Sequence, residues 1–331
     1  MKTKRTQWFG ILGILIACSI LISLSAAFAA DSSYPTKTVR IIVPWTPGGS
    51  NDIIARLIAA KLSDRFGKQV IVENRPGAGA VLGVEMVANS DPDGYTLLLS
   101  GSAFTIHPSL YKLSYDPAKA FAPVAKLGFG PALLTVHPSV PANSVKELIA
   151  LLKQKPGKLI CSSVGVGTFN HLGAELFKLM AGVDFKIVHF KGGGPATVDQ
   201  LGGHSQLMLG SLMQVLPHVK SGKLRGLGTG GLKRSAALPD IPTISEAGLP
   251  GYESSIWWGI HAPTGTPQAI VDRLQKELAE IVNSPEMQKI LQDQGAEADF
   301  LAPAELNKFV VAEIAKWKRV VKEANIKVEQ K

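Results

Sequence analysis

Val39-Arg-Ile-Ile-Val-Pro-Trp-Thr-Pro-Gly-Gly-Ser-Asn-Asp-Ile-Ile-Ala-Arg56 reads as strand, loop and helix: a β-branched run, a proline and glycine turn, then an amphipathic segment. Ser50 is the predicted N-cap, Asp52 falls in the first turn, and Ile54, Leu57, Ile58 and Leu62 recur at helical spacing. Gly48 and Gly49 are expected to leave backbone N–H groups unshielded just ahead of the positive helix end, which is a turn built to receive an anion. A carboxylate or a phosphate fits it.

The same unit returns along the chain. Lys68-Gln-Val-Ile-Val-Glu-Asn74 predicts a second strand that runs into Arg75-Pro-Gly-Ala-Gly-Ala-Val-Leu-Gly83. Asp91-Pro-Asp-Gly-Tyr-Thr-Leu-Leu-Leu99 predicts a turn and a buried strand, with Ser100-Gly-Ser-Ala-Phe-Thr105 at its carboxyl end. Lys158-Leu-Ile-Cys-Ser-Ser163 leads into Val164-Gly-Val-Gly-Thr-Phe-Asn-His-Leu172, where Thr168 is the predicted N-cap and Leu172, Leu176 and Leu179 the core stripe. Phe185-Lys-Ile-Val-His-Phe190 leads into Lys191-Gly-Gly-Gly-Pro195. Open α/β sheets bind ligands at the carboxyl ends of their strands, so four such loops, two in each prospective lobe, favour a shared anion cleft over unrelated turns. Further strands are predicted at 132–136, 205–209 and 224–229, followed by an all-helical tail at 267–283, 285–294 and 303–324. Connections near 128–131 and 252–260 are expected to act as a hinge between two lobes.

With 331 residues, 46% hydrophobic content and 33 glycines, the chain can bury a core large enough for two lobes. Lys2, Lys4 and Arg5 precede an apolar run from Trp8 to Leu24 and the small-x-small site Ala27-Phe-Ala29, the pattern of a secretory signal peptide over residues 1–30. A membrane anchor fits less well, because Ser and Ala interrupt the run. Leu15-Ile-Ala-Cys18 also resembles a lipoprotein cleavage box, but apolar residues follow Cys18, so cleavage near Ala29 or Ala30 is the expectation. An exported chain left with Cys161 alone has no internal disulfide. Removal of the three signal cations lowers the formal charge from +9 to +6, a mild preference for anionic ligands. The basic residues are dispersed rather than clustered with aromatics, which together with export argues against nucleic acid.

Val43-Pro-Trp-Thr-Pro-Gly-Gly-Ser-Asn-Asp-Ile-Ile-Ala-Arg56, Glu73-Asn-Arg-Pro-Gly-Ala-Gly79, Pro92-Asp-Gly-Tyr-Thr-Leu-Leu98 and Gly165-Val-Gly-Thr168 with His171-Leu172 resemble the Bug family, the periplasmic solute-binding subunits of tripartite tricarboxylate transporters. So do Lys191-Gly-Gly-Gly-Pro-Ala196, Leu238-Pro-Asp-Ile-Pro-Thr243 with Glu246-Ala-Gly248, and Ala262-Pro-Thr-Gly-Thr-Pro267, in family order from about Tyr34 onward. The resemblance implies an α/β, two-lobed type II periplasmic-binding (Venus flytrap) fold. Lobe 1 is expected at 31–129 and 252–331, and lobe 2 at 130–251. It implies closure on a small organic carboxylate and delivery of that acid to integral-membrane transporter subunits. In such proteins the first-lobe loops grip one carboxylate, which assigns Thr46, Pro47, Gly48, Gly49, Ser50, Asp52, Ala78 and Gly79. The second-lobe loop, Gly165, Gly167, Thr168 and His171, is expected to meet the other end, with Ser102 and Phe104 as side walls. Lys191 and Ser211 complete the expected set. Many relatives carry Thr in place of Asn51, a second Gly in place of Ala80 and an Asp near Gly210; without that Asp a handle for a ligand amine is missing.

Bland readings stand beside these. Trp45 either stacks on an aromatic ligand or packs at the strand end. His171 either bonds the helix start or touches the ligand. Gly77-Ala-Gly-Ala-Val-Leu-Gly83 imitates a dinucleotide fingerprint, but Asn74-Arg-Pro intrudes and the compartment lacks soluble nicotinamide cofactor, so none is expected. No Gly-x-Ser-x-Gly elbow is present and no two of the seven histidines have metal-ligand spacing. The expectation is therefore a periplasmic, monomeric binding protein without cofactor, metal or catalysis. A sensor that feeds a two-component receptor and a periplasmic hydrolase are the alternatives.

Overall fold

The computed structural model describes residues 34–323 and residue 326, so the expected signal peptide and the Cys18 box lie outside the described residues. All elements below belong to one unit that begins at Thr38. The chain opens with three strand–helix units: β1 (Val39–Val43) and α1 (Ser50–Phe66), β2 (Val70–Asn74) and α2 (Val81–Ala88), β3 (Thr96–Gly101) and the short α3 (Ser102–Ile106). These strands are parallel in the order β2-β1-β3. β1 and β2 hand their carboxyl ends to turns, and β3 runs directly into α3.

After β4 (Phe121–Val136) and α4 (Val145–Gln154) the pattern repeats, with β5 (Ile160–Ser163) and α5 (Phe169–Ala181), β6 (Lys186–His189) and α6 (Gly193–Leu201), β7 (Leu207–Ser211) and α7 (Leu212–Lys220), then β8 (Arg225–Thr229). The order here is β7-β5-β6, again parallel. The chain ends with β9 (Ser255–Pro263), α8 (Gln268–Val282), α9 (Pro285–Asp293), β10 (Glu297–Leu301) and α10 (Pro303–Glu323).

β4 is the spine that joins the two halves. From Phe121 to Pro131 it pairs with β9, which in turn pairs with β3, and β10 lies on its other edge. From Ala132 onward its partners become β7, through Ala132↔Ser211, and β8, through Leu133↔Thr229. The sequence predicts only the end of this strand, 132–136, because Pro123, Gly128, Gly130 and Pro131 break a strand pattern. Pro123 and Gly128 are accommodated where the β4–β9 register shifts, between Pro123 and Ala125 and between Lys126 and Gly128, while Gly130 and Pro131 pair in register with Ile256 and Ser255.

Three other expectations need correction. The tail is not all helical, since β10 adds to β4 antiparallel; its Glu-Ala-Asp-Phe-Leu sequence is too short and polar to declare itself. Gly49, not Ser50, is the N-cap of α1, and Ser50 is the first helical residue. Leu179 is exposed, and α5 instead buries Leu172, Phe177 and Ala181. Each half has its own core: Ile42, Leu98, Phe121 and Trp257 meet in one cluster, Leu133, Met208, Leu212 and Val215 in the other. Each such side chain, fully buried, contributes about 1.5–3 kcal/mol. Among the described residues no helix is long and apolar enough to cross a membrane.

Candidate functional site

The β1–α1 turn is held by a charged network. Asp52, 5% exposed, accepts the Gly48 N–H at Oδ2 (3.1 Å), Arg56 Nε at the same oxygen (3.0 Å) and Asn74 Nδ2 at Oδ1 (3.0 Å). Asn74 also donates to the Trp45 carbonyl (2.9 Å), so the end of β2 braces the turn after β1. Burial raises the Asp52 pKa, but the hydrogen bonds from Arg56, Gly48 and Asn74 outweigh it and hold the carboxyl below its ordinary range. Asp52 is thus anionic and fully engaged.

The β5–α5 turn is held by neutral groups. Thr168 Oγ1 accepts the His171 N–H (3.3 Å) and donates to the Gly165 carbonyl (2.8 Å). Gly167 N–H donates to His171 Nδ1 (3.2 Å), which requires a neutral imidazole with its proton on Nε2. Burial first, then the neighbouring charges of His189 and Lys178, push the His171 pKa down to about 4, in keeping with that tautomer. In the third turn Gln214 of α7 donates from Nε2 to the Gly193 carbonyl (2.9 Å) and fixes the start of α6.

The two sets of turns face each other. A β-carbon on Gly49 would lie 3.4 Å from the Gly193 nitrogen, and one on Gly165 would lie 3.6 Å from the Trp45 ring. One on Gly79 would lie 3.1 Å from the Val166 carbonyl oxygen, and one on Gly192 would strike Thr46 Oγ1. These approaches join β1–α1 and β2–α2 turns to β5–α5 and β6–α6 turns, across the two halves. Gly192 has no room for a side chain, and Gly79 and Gly165 hold φ of +65° and +136°, which favour glycine.

Thr46 Oγ1 and both ring nitrogens of His107, which the glycine approaches place at this seam, are buried without a protein partner, as are Asn170 Oδ1 just beyond the Gly165–Thr168 turn, Asn51 Oδ1 and Ser211 Oγ. Buried polar groups are ordinarily hydrogen-bonded, so unpaired ones beside the glycine turns suit a polar guest. His107, fully buried just after α3, packs beside Gly167: its Cδ2 is 3.2 Å from where a β-carbon there would stand. Burial pulls its pKa down to about 3, so its ring is neutral. Among the described residues no three His, Cys, Asp or Glu side chains are grouped to hold a metal ion.

The family model described as TctC, tripartite tricarboxylate transporter family receptor, matches residues 54–326. The chain belongs to the TctC family. It is 36% identical over 329 residues to Protein BugT of Bordetella pertussis, covering 98% of this chain and 100% of that one. Among solved structures it is similar to R. palustris Rpa4515 with adipate, at a TM-score of 0.87 and 37% identity, covering 89% of this chain and 99% of that chain. MatC from Rhodopseudomonas palustris with bound malate gives a TM-score of 0.81 at 32% identity, covering 87% of this chain and 100% of that chain. The fold is accordingly the two-lobed α/β fold of TctC solute-binding receptors, as the sequence resemblance implies.

Against this TctC fold the expected residues sort clearly. Trp45, Thr46, Gly49, Gly79, Gly165 and Gly167 meet at the seam; Ala78 lies in the same β2–α2 turn, with a left-handed φ of 46°. Pro47 and Gly48 belong to the seam turn but are exposed, and Ser50 is buried at the start of α1. Thr168 and His171 brace their turn from within, as Asp52 does on the other side. Ser102 accepts the Trp257 N–H (3.4 Å) at the start of α3. Phe104 is buried in the lobe's core cluster and packs edge-on to Phe121 at 5.3 Å. Lys191 is exposed at the start of the β6–α6 turn. The sequence reading overlooked Asn74, His107, Asn170, Gly193 and Gln214 as site residues; Lys191-Gly-Gly-Gly-Pro195 was the visible signal for Gly193, and nothing local marks the rest.

Proposed function

We propose that this chain is an exported receptor that captures a small organic carboxylate in the seam between its lobes and presents it to integral-membrane subunits of a tripartite transporter. The observation that supports this best is the meeting of glycine turns from both lobes around buried, unpaired polar atoms. Backbone N–H groups at the helix starts stand in for the water shell of the anion. Charge-assisted hydrogen bonds contribute about 1.5–3 kcal/mol each and a helix end up to about 2, so a few of them reach the roughly 8 kcal/mol of a micromolar complex after association costs.

Lobe 1 is read as 31–129 with 252–331 and lobe 2 as 130–251; the partner switch of β4 at Ala132 falls close to that boundary. Contacts that bridge the lobes exist only in the shut form, which gives that form its higher affinity. The signal-peptide pattern read over residues 1–30 supports a periplasmic location, and the receptor is read as a monomer. Catalysis is no part of the reading. Ser100 and His261 lie 2.9 Å apart, but both are buried in the β3–β9 ladder, where burial pushes the His261 pKa down to about 3. A base that is neutral but sealed from substrate activates nothing.

A thermal-shift screen of mono-, di- and tricarboxylates tests the reading, because a ligand that binds only the folded state raises the melting temperature. A rise with at least one class of acid is expected. No rise with any acid, but a rise with amines or sugars, contradicts it.

A further inference from the structure

Asn170 has a feature the carboxylate reading does not use. It stands in the first turn of α5, directly behind the Gly165–Thr168 turn, and is 2% exposed. Its Nδ2 donates to the Leu209 carbonyl on β7, which fixes the orientation of the amide. Oδ1, a pure hydrogen-bond acceptor, is left buried without a partner. Two residues beyond Leu209, at the carboxyl end of the same strand, Ser211 Oγ is also buried and unpaired, with the residue 1% exposed. From the other lobe His107 brings a neutral ring whose two nitrogens have no partner, one a donor and one an acceptor.

A carboxylate offers only lone pairs and cannot satisfy the Asn170 oxygen; it repels it. An ammonium would satisfy it, but needs an anionic neighbour once desolvated. Asp52 is already bound to Arg56, Asn74 and Gly48, and Glu175 faces Lys178 at 3.5 Å. An alcohol answers the Asn170 oxygen without a charge, since it donates to Asn170 Oδ1 and accepts from the His107 N–H or the Ser211 hydroxyl. We propose that Asn170, Ser211 and His107 form a neutral subsite that reads a hydroxyl on the ligand, so that this receptor selects hydroxycarboxylic acids over plain and aminated ones. The assignment rests on the carboxylate reading and adds the substituent.

Titration calorimetry on the full exported chain decides it, with three matched pairs as probes: succinate and malate, adipate and 2-hydroxyadipate, phenylacetate and mandelate. L-aspartate serves as the amine counterpart of malate. A matched hydroxyl bond corresponds to about tenfold in affinity, so the hydroxy acid of the pair that fits is expected to bind at least about tenfold tighter than its partner. L-aspartate is expected to bind more weakly than malate. Asn170→Ala should shrink the hydroxy-to-plain ratio toward one. Ser211→Ala breaks no bond within the protein and should shrink the same ratio by several-fold, which keeps the test open if Asn170→Ala fails to fold. Equal affinity for both members of every bound pair, tighter binding of L-aspartate than of malate, or a ratio untouched by Ser211→Ala overturns the hydroxyl subsite alone. Binding of none of the acids overturns the carboxylate reading with it.

Discussion

The turns after β1 and β5 have the same form, a strand that ends in glycines ahead of a helix, but they are braced by opposite chemistry. Asp52 holds the first as a buried anion tied to Arg56, Asn74 and the Gly48 N–H. His171 holds the second as a neutral ring that accepts the Gly167 N–H. In each case the brace consumes one glycine N–H that the sequence reads as offered to a ligand. The lesson is that glycine turns recognise an anion through those N–H groups a neighbouring side chain has not already taken, and that the two braces respond differently to pH.

The largest effect should come from closing off the seam where the turns meet. Gly192→Ala drives a methyl into Thr46 Oγ1, and overpacking of this kind costs about 1–3 kcal/mol. Calorimetry should show a roughly tenfold to hundredfold loss of acid affinity. A normal affinity would mean the turns need not meet.

Asp52→Ala comes next. Loss of a buried, hydrogen-bonded carboxylate costs about 1.5–3 kcal/mol, and for a chain of this size each kcal/mol lowers the melting temperature by about 2–4 °C. Weaker binding should accompany that drop, through a loosened Gly48 turn. Thr168→Val, which removes the cap and the bond to the Gly165 carbonyl, should cost about 1 kcal/mol and weaken binding less than Asp52→Ala does. If Thr168→Val proves the more damaging, the comparison between the braces is inverted.

The pH dependence separates the braces most finely. His171 titrates at 6.5 when unperturbed and at about 4 in the fold. Between those values the unfolded chain takes up a proton that the folded chain refuses, so stability is full above about 6.5 and is lost as pH falls toward 4. His107 and His261, pushed to about 3, extend the same loss to lower pH. Asp52, whose carboxyl is held below its ordinary 3.8, keeps its brace through that window. Denaturant melts at stepped pH should show a shallow decline that begins near neutrality. A His171→Asn variant should make it shallower between about pH 6.5 and 4, with the His107 and His261 share remaining.

The fold was readable where one unit of sequence does one job. β1 with its turn, the Thr168 cap and the Lys191-Gly-Gly-Gly run follow local rules, and their repetition announces the sheet. β4 was half hidden, because its prolines and glycines are tolerated only by two partners that arrive from residues 255–263 and 297–301. Site residues divided the same way. Glycines and caps are local and were visible; Asn74 and Asn170 act through partners far along the chain, as when Asn170 grips Leu209, and carry no local mark. Phe104 lies on a five-residue helix, which gives no face by which to tell core from cleft.

Isotope-labelled protein titrated with the tightest-binding acid, with the glycine amides followed by NMR, tests the account at its centre. Gly49 and Gly79 of one lobe should shift together with Gly165 and Gly193 of the other, along one binding curve. Shifts confined to one lobe, or a curve for each lobe with its own midpoint, would contradict joint capture.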